Sequence, residues 1–108
     1  LAYRPENEIS SIYKSYNFYP HTNNTIVNTQ DLKKELSKIR SQGYALNHGE
    51  AFDNVYGIGV AILDHEKRSF AGISLSGSRN MMNPKIMKDY VTLLQSASIK
   101  ISKLIVDN

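Results

Sequence analysis

The chain has no cysteine in its 108 residues. That excludes a disulfide framework and any thiolate nucleophile or thiolate metal ligand. No apolar run approaches the ~20 residues that a membrane-spanning helix needs. No basic-then-apolar leader stands at the start, so the Asn23-Asn24-Thr25 sequon reads as unmodified. There are only 3 prolines and 6 glycines, and they do not cluster into linkers. No repeat or low-complexity segment interrupts the sequence. Charge imbalance is small as well, at a formal +3. The lysines and arginines are scattered among Asp and Glu and never alternate with aromatics, so they do not outline a nucleic-acid groove.

What is present describes one globular unit. Hydrophobic residues make up 41% and charged residues 21%, enough for one core and not for two. The chain opens on Leu1-Ala2 without a methionine and reads as a piece of a longer protein. Pro5 with Glu6 and Glu8 marks the start of a helix over about 5–16, with Ile9, Ile12, Tyr13 and Tyr16 as a core-facing stripe. Residues 17–27 read as a loop, with His21 solvated in it. Asn28 or Thr29 caps a second helix whose stripe is Leu32, Leu36 and Ile39, and Gly43 ends it in a left-handed conformation. A strand follows over Tyr44–Asn47, and then a hairpin. Beyond the hairpin, Asn83 and Pro84 open a last helix. Its stripe of Met87, Tyr90, Val91, Leu94, Ala97, Ile101, Leu104 and Ile105 is the strongest periodic signal in the chain. The expected class is α+β: an antiparallel sheet of about three strands, covered by helices on one side, with a long C-terminal helix.

The hairpin spans residues 55–77. Strand side chains alternate faces. Tyr56, Ile58, Val60 and Ile62 point one way, and Val55, Gly57, Gly59 and Ala61 the other. In the second strand Ala71, Ile73 and Leu75 oppose Gly72, Ser74 and Ser76. The small sets share a face only in one parity of register, which an even loop such as Asp64–Lys67 provides. The bulky face belongs on the core, beneath the last helix. The small face carries none of the large polar residues of a solvated sheet. It is either the floor of a small-molecule site, with Ser74 and Ser76 as hydroxyl donors and Asn47 adding an amide, or a surface that lets another element pack closely.

Catalytic constellations are weak. Gly72-Ile73-Ser74-Leu75-Ser76 lacks the second glycine of a nucleophile elbow and sits inside a strand. His48 and Glu50 are the partners a triad would need. His21, His48 and His65 with Glu50 or Asp53 lack metal-ligand spacing. Gly57 and Gly59 lie within a strand, not at the strand-to-helix turn of a phosphate loop. The reading is no enzyme, no metal and no cofactor.

Leu36-Ser-Lys-Ile-Arg40-Ser-Gln-Gly43-Tyr44-Ala45-Leu46-Asn47-His-Gly-Glu50 resembles the L-x-x-I-R-x-x-G-Y-A-x-D-x-x-E segment of the IclR family of bacterial transcriptional regulators. Ala61-Ile-Leu-Asp64, Phe70-Ala-Gly-Ile-Ser74-Leu-Ser76-Gly77 and Ala97-Ser-Ile-Lys-Ile-Ser102 resemble later segments of the same family in the same order. The resemblance implies a GAF-like effector-binding domain of which residues 1–108 are the later part. The DNA-binding winged helix-turn-helix, the domain's first strands and the elements roofing its pocket would lie outside this chain. It also implies a cytoplasmic homodimer or homotetramer that meets DNA only through the absent N-terminal domain and does not meet membrane. The effector would be a small carboxylate or sugar-acid-like metabolite. Matching positions make Asn47, Gly57, Ser74 and Ser76 the effector-binding residues. Asn47 stands where many members have Asp, and Gly57 where some have Cys. A module of GAF-like shape that dimerises without a metabolite is the alternative.

Overall fold

The computed structural model describes residues 1–106. Helix α1 (Glu6–Ser15) and helix α2 (Thr29–Gln42) precede strands β1 (Ala45–His48), β2 (Val55–Leu63) and β3 (Ser69–Ser78), and helix α3 (Pro84–Val106) closes the order. The start and stop signals act as the residues dictate. Asn28 caps α2 by accepting from the Asp31 N–H at 2.8 Å. Gly43 ends α2 at φ +86°, a left-handed conformation that costs a side-chain-bearing residue energy. Asn83 accepts from the Ile86 N–H at 3.0 Å and opens α3.

The sheet is antiparallel in the order β1-β2-β3. Gly57 opposes Ser76, Gly59 opposes Ser74 and Ala61 opposes Gly72, so the small sets do share a face. Asn47 opposes Gly57 and Ala45 opposes Gly59, which extends that face onto β1. The parity arises differently from the four-residue loop expected. Asp64–Arg68 form a five-residue connection, and the pairing shifts at Ile62/Leu63, leaving Phe70 unopposed as a bulge. A bulge restores facing because it adds one residue to one strand only. Asp64 builds the turn: its Oδ1 accepts from the Glu66 and Arg68 N–H groups, and Lys67 takes φ +64°.

The bulky face is the main core. Ile58, Met82, Met87 and Val91 are buried together, with Tyr44, Leu46, Tyr56, Tyr90 and Leu94 packed around them. Helix α3 lies chiefly over the central strand β2. Its stripe is not buried throughout: Leu104 and Ile105 are 67% and 55% exposed. Twenty-three helical residues extend ~35 Å, and Ser102 still donates to the Leu63 carbonyl at the end of β2, just before these two exposed residues.

Helices are not confined to that side, which corrects the one-sided cover expected. A second cluster of Ala2, Ile9 and Leu36, with Tyr3, Tyr13, Leu32 and Ile39, joins α1 to α2. This pair stands over the small face. Arg4 ties the N-terminal segment to the sheet, donating from Nη1 to the Ser69 carbonyl at 2.8 Å while its Nε pairs with Glu8. Burial pushes the Tyr13 phenol above its ordinary range, Glu6 adds to the shift and Arg40 opposes it. The stripe of α1 is also only half core. Ile9 is buried, but Ile12 and Tyr16 are 38% and 57% exposed. They point past α2 into the space above the sheet.

Candidate functional site

That space is a cleft of about 710 Å³. Its floor is the small face of the sheet: Ala45, Asn47, Gly57, Gly59, Ser74 and Ser76. Leu32, Leu36 and Ile39 of α2 form one wall. Ile12, Tyr16, Phe18 and Ile26 form another. The four residues singled out from sequence, Asn47, Gly57, Ser74 and Ser76, all line this one cleft.

The floor is flat for a physical reason. A Cβ placed at Gly59 would meet nothing within 4 Å, so the strand there is open to the cleft. A Cβ at Gly57 would lie 3.0 Å from the Leu75 carbonyl oxygen and 3.1 Å from Ser76 Oγ. Gly57 is thus needed for the close approach of β3, and its lack of a side chain leaves the Ser76 hydroxyl room. Asn47 is already oriented. Its Oδ1 accepts from the Glu50 N–H at 3.0 Å, which fixes the amide plane. Its NH₂ group is the donor free to serve a ligand. Glu50 in turn accepts at Oε2 from the His48 N–H at 3.3 Å.

One end of the cleft is fastened by the α1–α2 connection. Thr22 Oγ1 donates to the Gly49 carbonyl at 2.6 Å, and Asn24 Nδ2 donates to the His48 carbonyl at 2.9 Å. Thr25 Oγ1 donates to the Glu50 carbonyl and accepts from the Thr22 N–H. These hydroxyl and amide contacts hold residues 22–25 to the β1–β2 turn, where Gly49 has φ +73°. Tyr16 and Phe18 stack edge to face at 4.8 Å just before this fastening, and Tyr19 and His21 follow at 4.9 Å.

Sequence reasoning missed Ile12, Tyr16, Phe18 and Glu35 as lining residues, and it placed the roof of the pocket outside this chain. In the structure α1, the connection after it and α2 wall the cleft from within the chain. A signal was available in the α1 stripe. Its two outer members, Ile12 and Tyr16, lie a full turn apart on the flank that α2 does not reach. His21, read as a solvated loop residue, is exposed and also lines the cleft. His48 packs on Tyr56 with ring centroids 5.3 Å apart and is not among the lining residues, so the structure does not bring it to Ser74 or Ser76. Among the described residues no group of three or more His, Cys, Asp or Glu is placed to hold a metal. No helix among them is long and apolar enough to cross a membrane.

Residues 1–103 match the family model described as bacterial transcriptional regulator IclR C-terminal. The chain belongs to this family. The IclR regulators are transcription factors, not enzymes, and the chain has the GAF-like α+β fold of their effector-binding domain. It is 29% identical over 102 residues to the HTH-type transcriptional regulator KdgR of Escherichia coli, spanning 94% of this chain and 39% of KdgR. It superposes on the crystal structure of Thermotoga maritima IclR with a TM-score of 0.91 at 35% identity, over 96% of this chain and 42% of that one. The inducer-binding domain of the PobR transcription factor from Acinetobacter, solved as a double mutant with 3-hydroxybenzoic acid, shares the fold. Its TM-score is 0.87 at 19% identity, over 96% of this chain and 60% of that one. The chain thus spans about two-fifths of the full-length regulators it matches.

Proposed function

We propose that the chain is the ligand-sensing part of a cytoplasmic transcriptional regulator, and that a small metabolite settles in the cleft above β1, β2 and β3. The observation that carries this is convergence. Asn47, Gly57, Ser74 and Ser76 come from three strands and 30 positions of sequence, yet they floor one cleft. Its volume lies in the range of metabolite sites. The serine hydroxyls and the Asn47 amide are the polar anchors, and Gly57 provides the room.

The sensing mechanism follows from which parts the cleft joins. Its floor belongs to the sheet that α3 backs. Its walls belong to α1, α2 and their connection. A molecule touching both parts favours the arrangement in which they are close. It shifts the regulator only by its difference in affinity between two arrangements. Such a shift would pass through a homodimer or homotetramer to a DNA-binding winged helix-turn-helix outside this chain. No cofactor is needed for it. The resemblance makes the effector a small organic acid or a related metabolite, and the acid group is the part of that expectation the cleft supports least.

A thermal-shift screen with small organic acids, their amides and sugars tests the reading. One compound should raise the melting temperature, and Ser74→Ala with Ser76→Ala should abolish the rise. No response to any compound, together with a stable dimer, would instead favour a scaffolding module.

A further inference from the structure

We infer that the cleft selects a flat, ring-bearing molecule whose polar end carries no negative charge. This rests on the reading of the cleft as a ligand site and adds the class of ligand. The shape argument comes from floor and walls. Gly57, Gly59 and Ala45 form a surface without projecting side chains, and Gly59 has open space above it. Tyr16 and Phe18, edge to face at 4.8 Å, stand at the opposite wall. A planar ring lying on a glycine floor contacts backbone on one face, with the Tyr16 and Phe18 rings in the wall of the same cleft. A branched or strongly hydrated polyol would leave the apolar walls of Ile12, Leu32 and Ile39 unsatisfied.

The charge argument is independent of shape. Among the described residues the cleft is lined by no lysine or arginine side chain, but by two carboxylate residues, Glu35 and Glu50. His21 is the one further titratable side chain besides Tyr16. Neither glutamate is held in an ion pair among the described residues. Lys38 lies on the far side of both, lining a neighbouring depression of about 280 Å³ with them and not the cleft itself. An anion entering would meet two like charges and no lysine or arginine side chain in a partly desolvated space, which disfavours it. The donors available, two hydroxyls and one amide, satisfy a carbonyl or hydroxyl end without that penalty.

The test uses one ring with three ends: 3-hydroxybenzoate, 3-hydroxybenzamide and 3-hydroxybenzylamine. Affinities for the whole chain are read by calorimetry or by chemical-shift titration. The amide and the amine should bind about tenfold or more tightly than the carboxylate. Glu35→Gln with Glu50→Gln should bring the carboxylate to within about threefold of the amide. The amide oxygen introduced by Glu50→Gln can still accept from the His48 N–H, so the turn survives. Gly59→Ala should weaken all three, because the new methyl group occupies the floor. A carboxylate that binds as tightly as the amide, and is lost on Ser74→Ala with Ser76→Ala, would overturn the charge selection while leaving the sensing role standing. No binding by any of the three at millimolar concentration would overturn both.

Discussion

Gly57 and Gly59 sit two residues apart on one face of β2, yet a methyl group would meet different surroundings at each. At Gly57 it would press on the Leu75 carbonyl and on Ser76 Oγ, at 3.0 and 3.1 Å. Backbone cannot give way as a side-chain tip can, so Gly57→Ala is expected to cost about 1–2 kcal/mol through shifted strands. At Gly59 the methyl would stand in open space. Gly59→Ala should change stability by less than about 0.5 kcal/mol, because strand interiors favour a side chain over none. Urea unfolding of the two variants checks the contrast, and equal destabilisation would contradict a floor held flat by close strand approach at Gly57 alone. Tyr13 has a pH signature at the same scale. Its phenol is raised, so the folded state favours the neutral ring. That contribution is present below the ordinary tyrosine range and is lost as pH rises through the raised value. An ultraviolet titration compared with that of Tyr13→Phe should show the Tyr13 phenol ionising above the ordinary tyrosine range.

The elements around the cleft differ in how firmly they are held. The connection from α1 to α2 has no regular structure, and its order comes from side chains bonding to the β1–β2 turn. Thr25 is central, because its hydroxyl serves both the Thr22 N–H and the Glu50 carbonyl. Thr25→Val keeps the shape and removes both bonds, at a cost of about 1–3 kcal/mol if both groups go unpaired. Amide exchange should speed up at residues 22–25 and 48–50, while the β2 amides stay protected. Strand β3 is held along one side only. Ten residues long, it pairs with β2 along one edge and offers its other edge unpaired, with no charged residue or proline along it. Such an edge invites another strand. Phe70, 43% exposed at the bulge, is where a charge disturbs pairing least. Phe70→Lys should reduce concentration-dependent association in sedimentation without loss of fold.

The whole molecule is flat, 43 × 36 × 19 Å, with a radius of gyration of 14.7 Å; a compact domain of this length has ~13 Å. Its accessible surface is 7563 Å², whereas a compact protein of this mass exposes roughly 6,100 Å². The surplus, on the order of 1,500 Å² by the same scaling, is the size of a substantial interface. Its apolar share includes Leu75, Leu93, Ile99, Leu104 and Ile105 on β3 and α3. We take this surplus as support for the proposal that residues 1–108 are one part of the effector domain, since this chain covers 62% of the C-terminal domain of Escherichia coli KdgR, to which it is 29% identical. The expected consequence is low stability by itself. Joining the chain to the remaining portion of such a domain should raise the denaturation midpoint and suppress self-association, both measurable by urea titration and sedimentation. An unchanged midpoint would count against the partial-domain reading.

Residue chemistry alone determined the elements, their caps and the two-faced hairpin. Those features depend on near neighbours: Asn28 on Asp31, Gly43 on its own φ, and alternating small and large residues on the geometry of a strand. Period places Gly57, Ser74 and Ser76 on the small faces of their strands, and the bulge at Phe70 makes those faces coincide. Tertiary structure alone decided what lies above that face. The stripe of α1 reads as core because Ile12 and Tyr16 keep helical spacing with Ile9, and no periodicity says that α2 stops short of them. Likewise Glu35 and Glu50 are ordinary charges in the sequence. They become lining residues only when α2 and the β1–β2 turn close on the same space. Burial and enclosure are properties of distant segments brought together, so they carry no local signature.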